Sequence, residues 1–350
     1  MQLNNMLKLK AAWLSADAPE SAIVLSSRVR LARNLERHAF PGKARAKDLS
    51  RVIGEIFEGT RKNRIFGKAA FLRLEDLDDL DRSLLVERHL ISKDLTAEPA
   101  NRGVVVGEKE KMSLMINEED HLRMQSLEAG LSLSAAWEAL RRLDDELGQR
   151  LNFAYDPDWG FLTACPTNLG TGLRASCLLH LPALVWTGSL NRVLESLSRM
   201  RVIVRGLYGE GTRVLGDLFQ LSNATCLGST EEDFIKHLTD VVQTLVVREK
   251  EERQKLCAGG ERLKLEDSMY RSVGILSHCR IITFEEAMHH LSYIRLGIAL
   301  GWAMPMGLPQ LNDIFLTAQP AHIQMAAQKE LAARERDQFR AEKIRGQIRA

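Results

Sequence analysis

Short apolar runs separated by polar turns alternate with helical patterns as far as Ser229, and this alternation is the strongest constraint on the fold. Residues 102–107 and 112–116 flank a polar turn at 108–111, which predicts a β-hairpin. Further strands are predicted after Ile23 and at 161–164, 176–181, 201–204 and 217–221. The spacing of apolar residues predicts helices at 44–64, 124–150 and 188–200. Hairpins interleaved with helices predict an α+β fold, in which helices flank an antiparallel β-sheet.

From Ser229 onward the apolar pattern is helical. Two segments with the pattern of capping boxes, 229–232 and 283–286, precede apolar residues at helical spacing. Glycines at 259 and 260 interrupt the pattern between them. We therefore predict two domains, a larger one over residues 1–258 and a small all-helical one over residues 259–350.

The composition is that of an ordinary globular protein, with 45% hydrophobic residues, 27% charged residues and a formal net charge of +2. So small a net charge creates no broad attraction to nucleic acid or to a membrane surface, and neither is expected as a partner. No apolar run reaches the roughly 18 residues of a membrane span, and the N-terminal residues lack a signal-peptide pattern. The five cysteines have no Cys-x-x-Cys spacing, which argues against a zinc site and a disulfide framework. We expect a protein of the reducing cytoplasm.

Three segments of the chain together supply carboxylates, arginines and a cysteine. Residues 117–123 read Asn-Glu-Glu-Asp-His-Leu-Arg, residues 165–176 read Cys-Pro-Thr-Asn-Leu-Gly-Thr-Gly-Leu-Arg-Ala-Ser, and residues 204–211 read Val-Arg-Gly-Leu-Tyr-Gly-Glu-Gly. A site that holds a guanidinium against a polyphosphate needs both kinds of charge. A guanidinium keeps its proton up to a pH above about 12. Two carboxylates beside it could both orient it and accept the proton.

The order and wording of these segments resemble the ATP:guanido phosphotransferase (phosphagen kinase) family, from residue 21 to about residue 250. The resemblance implies that Glu119 is the general base and that Glu210 is the second carboxylate on the substrate guanidinium. It places Cys165 against the same guanidinium, as a thiolate that helps to polarise it. One departure is Arg213-Val214, where relatives usually carry Glu-Ala; this bears on the substrate loop and not on the type of reaction.

The same resemblance implies ATP as the phosphoryl donor, with Mg²⁺ held mainly through phosphates and water and with no protein ligand to the metal. The arginines expected to neutralise the polyphosphate are Arg28, Arg30, Arg123, Arg174 and Arg205. Because Arg28 and Arg30 are two residues apart, they would share one face of an extended strand. Arg33 completes the first motif but could equally be a structural ion-pair partner.

Further residues of the ATP-contacting segments follow from the resemblance. They are Ser26, Ser27, Val29, His89, Ala175, Ser176, Cys177, Leu178, Gly206, Leu207, Tyr208 and Gly209. His89 is expected to stack on the adenine ring. The sequence contains no Walker P-loop and no His-Arg-Asp motif of the protein kinases.

The C-terminal region is similar to the bacterial protein-arginine kinase (McsB type) branch of the family, in residues 292–297, 319–324 and 336–341. The last segment matches the phosphoarginine-binding motif of that branch. The residues expected to form an allosteric phosphoarginine pocket are therefore Arg336, Asp337, Gln338, Phe339, Arg340 and Ala341. Arg336 and Arg340 are four residues apart and would share one face of a helix. Because the motif at Ser26 lies so near the N-terminus, we also expect an open site without the substrate lid of the phosphagen kinases.

From this resemblance we expect a kinase that phosphorylates arginine side chains of protein substrates, in bacterial stress response and protein quality control. It further implies an activator protein, a Clp unfoldase that acts on the tagged proteins, and a homodimer formed by the C-terminal helices. Two alternatives stay open, namely a small-molecule guanidino (arginine) kinase and a non-catalytic phosphoarginine-binding adaptor. The rates of phosphate transfer to free arginine and to a protein would separate them.

Overall fold

The computed structural model describes residues 10–206 and 214–349. Eight strands form one sheet in the order β2-β3-β4-β5-β1-β8-β10-β9, and every neighbouring pair is antiparallel. These strands are β1 (Val24–Arg33), β2 (Ala70–Arg73), β3 (Gly103–Val106), β4 (Met112–Ile116), β5 (Leu122–Ala129), β8 (Leu173–His180), β9 (Val202–Gly206) and β10 (Leu218–Asn223). A separate short hairpin consists of β6 (Tyr155–Asp156) and β7 (Gly160–Phe161).

The α-helices are numbered in chain order. Those before the long helix that ends the sheet region are α1 (Ala46–Arg61), α2 (Asp79–Glu87), α3 (Lys93–Ala97), α4 (Leu133–Gly148), α5 (Pro182–Trp186) and α6 (Leu190–Ser198). The later ones are α7 (Glu231–Ala258), α8 (Arg262–His278), α9 (Phe284–Ala299), α10 (Leu308–Thr317), α11 (Pro320–Ala327) and α12 (Ala333–Arg349). In the ranges 10–206 and 214–349, no helix is long and apolar enough to cross a bilayer.

The predicted α+β architecture is confirmed: an antiparallel sheet is flanked by helices and followed by a helical C-terminal region. The predicted hairpin forms from β3 and β4, in which Val104 lies opposite Met115. The predicted helices at 44–64 and 188–200 correspond to α1 and α6. Thr283 is the N-cap of α9 as predicted, whereas the N-cap of α7 is one residue later than predicted, because Thr230 and Asp233 form its capping box.

The helix predicted at 124–150 is wrong in its first part, where β5 runs from Leu122 to Ala129 and the helix α4 begins only at Leu133. Met124 and Leu127 are unbranched at Cβ, and both residue types have a high helix propensity. Strand β5 forms nevertheless because it lies inside the sheet, hydrogen-bonded to β1 on one side and to β4 on the other. Tertiary pairing outweighs local propensity here. The strand predicted at 161–164 is also shorter, since regular pairing ends at Phe161.

Two hydrophobic cores lie on opposite faces of the sheet. On one face, helices α1, α4 and α7 pack through residues such as Ile56, Leu140 and Val242 against strand residues that include Leu31. On the other face, the C-terminal helices pack on strand residues of the opposite alternation, which are Leu127, Leu178 and Leu218. The C-terminal region therefore covers part of one sheet face. The break at Gly259, between α7 and α8, coincides with the predicted boundary at 258/259, which stays a prediction.

Candidate active site

Arginines from four strands lie on one face of the sheet. They are Arg28 and Arg30 of β1, Arg123 of β5, Arg174 of β8 and Arg205 of β9. Arg30 stands directly opposite Arg174 in the register of β1 and β8. Val29 and Leu31, which alternate with the arginines of β1, are buried in the core of the other face. The predicted shared orientation of Arg28 and Arg30 is what the strand shows.

A cavity of about 190 Å³ opens on this face. Its wall contains six of the residues predicted for catalysis or phosphate binding: Arg30, Glu119, Arg123, Cys165, Arg174 and Arg205. Thr167 and Asn168, from the segment that follows Cys165, complete one side. Four separate segments of the chain thus meet around a single space that has four guanidinium groups and one carboxylate.

Burial and mutual repulsion prepare the arginine face for an anion. Burial, and secondarily the nearby Arg123, lower the pKa of Arg28 to about 10. The pKa of Arg30 is lowered well below its ordinary value by burial first and then by the charges of Arg28, Arg123 and Arg174. Among the described side chains, Arg30 has a buried Nε without a hydrogen-bond partner. A polyphosphate would supply both the acceptor and the compensating charge.

Two of the arginines are oriented by neighbouring side chains. Nη1 of Arg123 donates to Oε1 of Glu118 at 2.6 Å. Arg174 donates from Nη2 to Oγ1 of Thr167 at 3.0 Å and from Nε to Oδ1 of Asn168 at 3.3 Å. Because these partners belong to the same two motifs as Glu119 and Cys165, each motif places both a catalytic candidate and an arginine.

Glu119 lies in the tight turn that joins β4 to β5. Asn117 begins the turn with a φ of +58°, and its N–H donates to the carbonyl of His121 at 3.1 Å. The exposed Glu119 carboxylate is hydrogen-bonded to the thiol of Cys165. Partial burial and the charge of Asp120 raise the pKa of Glu119 above its usual range. A carboxylate with a raised pKa is a stronger base, which suits an acceptor of a guanidinium proton.

Asp120 joins the two catalytic segments. Its Oδ1 accepts a hydrogen bond from Nδ2 of Asn34 at 2.6 Å and another from the N–H of Ala164 at 2.7 Å. The second bond fixes the residue before Cys165 next to the residue after Glu119. The Cys165 thiol also lies 3.1 Å from Oγ1 of Thr167. The buried carboxylate of Asp120 therefore holds the Cys165 segment next to the Glu119 turn.

Asn34 and Asn223 are supporting residues that the sequence reasoning missed. The N–H of His121 donates to Oδ1 of Asn34 at 2.9 Å, which completes the link from β1 to the Glu119 turn. Asn223 accepts from the N–H of Ala175 at 2.8 Å and donates to the carbonyl of Leu173 at 3.0 Å, next to Arg174. The position of Asn34 was a usable signal, because it directly follows Arg33, the last residue of the first motif. No local signal marked Asn223.

A second, smaller cavity adjoins the first along the same strands. It is lined by Ser26, Arg28, His89, Leu127, Ser176, Leu178 and Gln220. Nη2 of Arg28 donates to Oε1 of Gln220 at 3.2 Å. His89 has a φ of +58°, and its ring meets that of Trp13 edge-on at 4.9 Å. Burial, and secondarily Arg28, lower the pKa of His89 to about 3, so the imidazole is neutral at ordinary pH.

Four residues of the predicted nucleotide-binding segments point away from both cavities. Ser27, Val29, Ala175 and Cys177 lie at the alternate positions of β1 and β8 and are buried. Oγ of Ser27 donates to the carbonyl of Gly130 at 2.7 Å, and burial raises the pKa of Cys177 to about 12. Their side chains therefore form part of the core and cannot contact a ligand on the arginine face.

The predicted residues Leu207, Tyr208, Gly209 and Glu210 lie outside the described residues, as does Arg213. Gly206 ends β9. After the gap, Gly216 has a φ of +59°, and a Cβ there would lie 2.8 Å from the carbonyl oxygen of Met288 on α9. Oγ of Ser292, also on α9, donates to Oδ2 of Asp217 at 2.6 Å. The C-terminal helices thus hold the chain where it returns to the sheet.

Arg33 is a structural residue, which decides between the two roles left open for it. Its side chain is only 1% exposed and forms an ion pair with Asp144, with Nη2 2.7 Å from Oδ2. Nη1 donates to the carbonyls of Ala32 and Thr171, and the guanidinium lies 3.4 Å from the centroid of the Phe161 ring. Every side of this guanidinium is therefore occupied within the protein.

The predicted phosphoarginine motif lies on α12, and none of its residues lines either of the two cavities in the sheet face. Arg340 is buried, donates to the carbonyls of Ala318 and Ile282 at 2.7 and 2.9 Å, and pairs with Asp337. Arg336 is partly exposed on the same helix. Of the remaining members of the motif, Ala341 is buried, Phe339 is partly exposed and Gln338 is exposed. In this state Arg340 holds α12 against its neighbours.

A buried polar network connects the segment before His89 to the C-terminal helices. The carboxylate of Glu87 accepts hydrogen bonds from the N–H groups of Ala321 and His322 at 2.6 and 3.0 Å, at the start of α11. Nδ1 of His322 also lies 2.7 Å from Glu87. Arg88 forms a fully buried ion pair with Glu110 and contacts the other nitrogen of the His322 ring. The residue that precedes His89 is thereby fixed by both regions of the chain.

The described side chains of the cavity offer a divalent ion one carboxylate, that of Glu119, so phosphates and water would supply its other ligands. Within 10–206 and 214–349, no three His, Cys, Asp or Glu side chains gather into a cluster that could hold a metal. Mg²⁺ commonly keeps several waters and binds substrate phosphates together with at most one or two carboxylates. The donor set of the cavity, four arginines and Glu119, agrees with that mode and disagrees with an all-protein metal cage.

Comparisons of the sequence with known proteins identify relatives of this chain. Residues 51–252 match the family model described as ATP:guanido phosphotransferase, C-terminal catalytic domain. Residues 262–350 match the model described as protein-arginine kinase McsB C-terminal domain. A protein-arginine kinase of Symbiobacterium thermophilum is 44% identical over 346 residues, which cover 98% of each chain. One of Halothermothrix orenii is 41% identical over 349 residues, which cover 99% of each chain.

Solved structures share the fold. A crystal structure of lombricine kinase has a TM-score of 0.61 at 24% identity and covers 71% of each chain. The duplicated taurocyamine kinase from Schistosoma mansoni, with bound components of a transition-state analogue, has a TM-score of 0.62 at 25% identity. The match covers 74% of this chain and 39% of that one.

Proposed function

The chain belongs to the ATP:guanido phosphotransferase family, in its protein-arginine kinase branch, and we propose that it transfers the γ-phosphoryl group of ATP to arginine side chains of proteins. The observation that carries this proposal is the single cavity in which Glu119 and Cys165, hydrogen-bonded to each other, face four arginines. A guanidinium fits beside the acid and the thiol, and a polyphosphate fits beside the arginines.

In the proposed reaction, a substrate guanidinium nitrogen attacks the γ-phosphorus. An N–P bond forms, the P–O bond to the β-phosphate breaks, and its electron pair leaves on ADP. Glu119 accepts the proton that the guanidinium releases, for which its raised pKa suits it. Cys165 contacts and polarises the guanidinium without forming a bond to phosphorus. Glu210, outside the described residues, is proposed as the second carboxylate on the fork.

The arginine face would hold the polyphosphate along β1 and β8. Arg30 and Arg174, opposite each other, contact the transferring end, and Arg28 lies farther along β1, in the cavity that contains His89. The neutral His89 ring is proposed to contact the adenine. A divalent ion, for which we propose Mg²⁺, neutralises phosphate charge when bound. The preorganised guanidinium groups stabilise the charge that develops on the phosphoryl oxygens.

The setting of the reaction rests on the resemblance alone. We propose a bacterial cytoplasm, an activator protein, a Clp unfoldase that acts on the phosphorylated proteins, and a homodimer formed by the C-terminal helices. The segment 336–341 remains the proposed phosphoarginine pocket. Since Arg340 is already bonded to Asp337 and to two carbonyls, occupation by phosphoarginine would require Arg340 to exchange partners.

The test is transfer of labelled phosphate from ATP to an arginine-containing protein, with the sites mapped by mass spectrometry under conditions that avoid acid. Glu119→Gln removes the proposed base and is expected to lower kcat by about 10²- to 10⁴-fold. Glu58→Gln, at an exposed position of α1, is the control and should match the wild type. Unimpaired labelling by Glu119→Gln, or phosphate found only on hydroxyl side chains, would overturn the proposal. Robust turnover of free arginine alone would favour the small-molecule kinase.

A further inference from the structure

The short hairpin of β6 and β7 presents two aromatic rings to solvent. Tyr155 is 59% exposed and Trp159 is 55% exposed. Of the large apolar residues in the described part of the chain, only Leu263 is more exposed than Tyr155. Large aromatic side chains normally contribute to folding by burial, and at binding surfaces they supply contact area at low entropic cost. Two such rings at one hairpin therefore indicate a binding surface.

The hairpin is held rigidly, so the exposure of the rings does not reflect a loose loop. Oδ1 of Asp156 accepts hydrogen bonds from the N–H groups of Asp158 and Trp159 at 2.9 and 3.1 Å, which closes the turn. Gly160 has a φ of +74°, and a Cβ there would lie 2.5 Å from the carbonyl oxygen of Gly170. The ring of Tyr155 packs edge-on against Phe161, with centroids 5.3 Å apart. A surface fixed in this way can bind without a large loss of conformational entropy.

The hairpin is continuous with the wall of the active-site cavity. The N–H of Phe161 donates to the carbonyl of Gly170 at 2.8 Å, in the segment that runs from Cys165 to the arginine at 174. Directly after the hairpin, the carbonyl of Leu162 accepts from Nδ2 of Asn34 at 3.1 Å. Asn34 in turn contacts Asp120, next to Glu119. The hairpin thus lies beside the segment that carries Cys165, where the substrate guanidinium is proposed to enter.

The charge of the hairpin is opposite to that of the four arginines that line the active-site cavity. Asp156 and the exposed Asp158 lie between the two rings in the sequence Tyr-Asp-Pro-Asp-Trp, which contains no basic residue. Aromatic faces attract guanidinium and ammonium groups, and nearby carboxylates add to that attraction. The arginine face repels the same groups. The hairpin therefore favours binding of a cationic polypeptide, whereas the arginines of the cavity favour binding of a polyphosphate.

We propose that the hairpin 155–161 docks the polypeptide around the target arginine and favours substrates that carry a further arginine or lysine near it. This inference rests on the proposed function and names the part of the protein substrate that the chain reads. Tyr155 and Trp159 contact the flanking side chains, and Asp158 contributes charge. The target arginine extends past the hairpin to Glu119 and Cys165.

The test compares two unstructured peptides that contain one target arginine flanked either by lysines or by glutamates. In the double variant Tyr155→Ala/Trp159→Ala, KM for the lysine-flanked peptide is expected to rise about tenfold, with kcat and the KM for ATP unchanged. The glutamate-flanked peptide, which gains nothing from the hairpin, should be unaffected. Trp159→Phe should keep most of the wild-type affinity. Leu263→Ala, at a still more exposed position on α8, is the control and should change nothing.

Asp158→Lys provides a second, independent variant, since it changes an exposed side chain and leaves the apolar contacts intact. It should weaken the preference for the lysine-flanked peptide over the glutamate-flanked one. Equal KM values for wild type and all hairpin variants, measured while the wild type labels both peptides, would refute the docking role alone. Failure of the wild type to label any peptide or protein would refute the proposed function instead. A shift of oligomeric state in the double variant, measured by light scattering, would identify the hairpin as a self-association surface and also refute the docking role.

Discussion

Asp120 is the carboxylate whose removal should do most damage without any contact to substrate. It is buried, and its Oδ1 is the acceptor both for Asn34 and for the N–H of Ala164. Asp120→Ala leaves both donors inside the protein without an acceptor. Asp120→Asn offers an amide oxygen at the same place, and it is the matched comparison.

The size of the effect follows from these two bonds. A hydrogen bond to a charged group contributes about 1.5–3 kcal/mol, so two of them amount to about 3–6 kcal/mol. Burial offsets part of this, because it raises the pKa of Asp120 and so disfavours the ionised form in the folded protein. We therefore expect Asp120→Ala to lower the free energy of unfolding by about 3 kcal/mol. Asp120→Asn should stay within about 1 kcal/mol of the wild type, since it removes the cost of the buried charge as well.

The two measurements are urea unfolding, followed by tryptophan fluorescence, and the rate of transfer to an arginine peptide. Loss of the link between the Glu119 turn and the Cys165 segment should lower kcat of Asp120→Ala by about 100-fold, the cost of a misplacement near 1 Å. If Asp120→Ala unfolds at the wild-type urea concentration and keeps its activity, the link carries no weight. If Asp120→Asn is as damaged as Asp120→Ala, the charge matters and the acceptor geometry does not.

Three shorter predictions concern other parts of the site. Because the pKa of Glu119 is raised and the ionised form is the base, kcat/KM should fall as the pH is lowered through a value above 4.5, and a pH profile with its acid limb at or below 4.5 would contradict this. Gly172→Ala should destabilise by about 2 kcal/mol, since φ is +68° and the new Cβ would lie 2.7 Å from the carbonyl oxygen of Ala32. The control Gly54→Ala, in a helix with open space around it, should raise the free energy of unfolding by about 0.5–1 kcal/mol. Urea unfolding measures both changes, and equal effects of the two substitutions would contradict the prediction. Since the pKa of His89 is about 3, the KM for ATP should show no histidine titration between about pH 5 and pH 8. His89→Ala should raise the KM for ATP. A titration between these pH values would mean that the ring is charged when ATP binds.

Local pattern predicted the parts of the site that depend on one strand or one turn. The spacing of Arg28 and Arg30 was enough to place both on one face, because a strand alternates. The same rule excludes the side chains of Ser27 and Val29 from the nucleotide site, because they lie at the alternate positions of β1. The segment 124–129 was misjudged because its place inside the sheet is set by pairing with residues far away in the sequence.

Contacts between distant segments could not be predicted from one sequence. Nothing near Asp120 shows that Ala164 will be its partner, and nothing near Asn223 shows that it will support the strand that carries Arg174. The burial of Arg340 against two carbonyls is of the same kind, since spacing alone puts it on a helix face but does not tell what covers that face. The motifs identified the candidate site residues, whereas their hydrogen-bond partners became visible only in the folded structure.

The way Glu87 meets the first turn of α11 determines how this protein can be divided or recombined. A fragment that stopped at Ala258 would lose the two amide groups that this carboxylate binds and would uncover the apolar strand residues near Leu127 and Leu178. Such a fragment should aggregate or need a solubilising fusion. Chimaeras that exchange the C-terminal helices between homologues should work only when the residue at position 87 is exchanged with them. We therefore expect the regions on either side of the predicted boundary at 258/259 to unfold together.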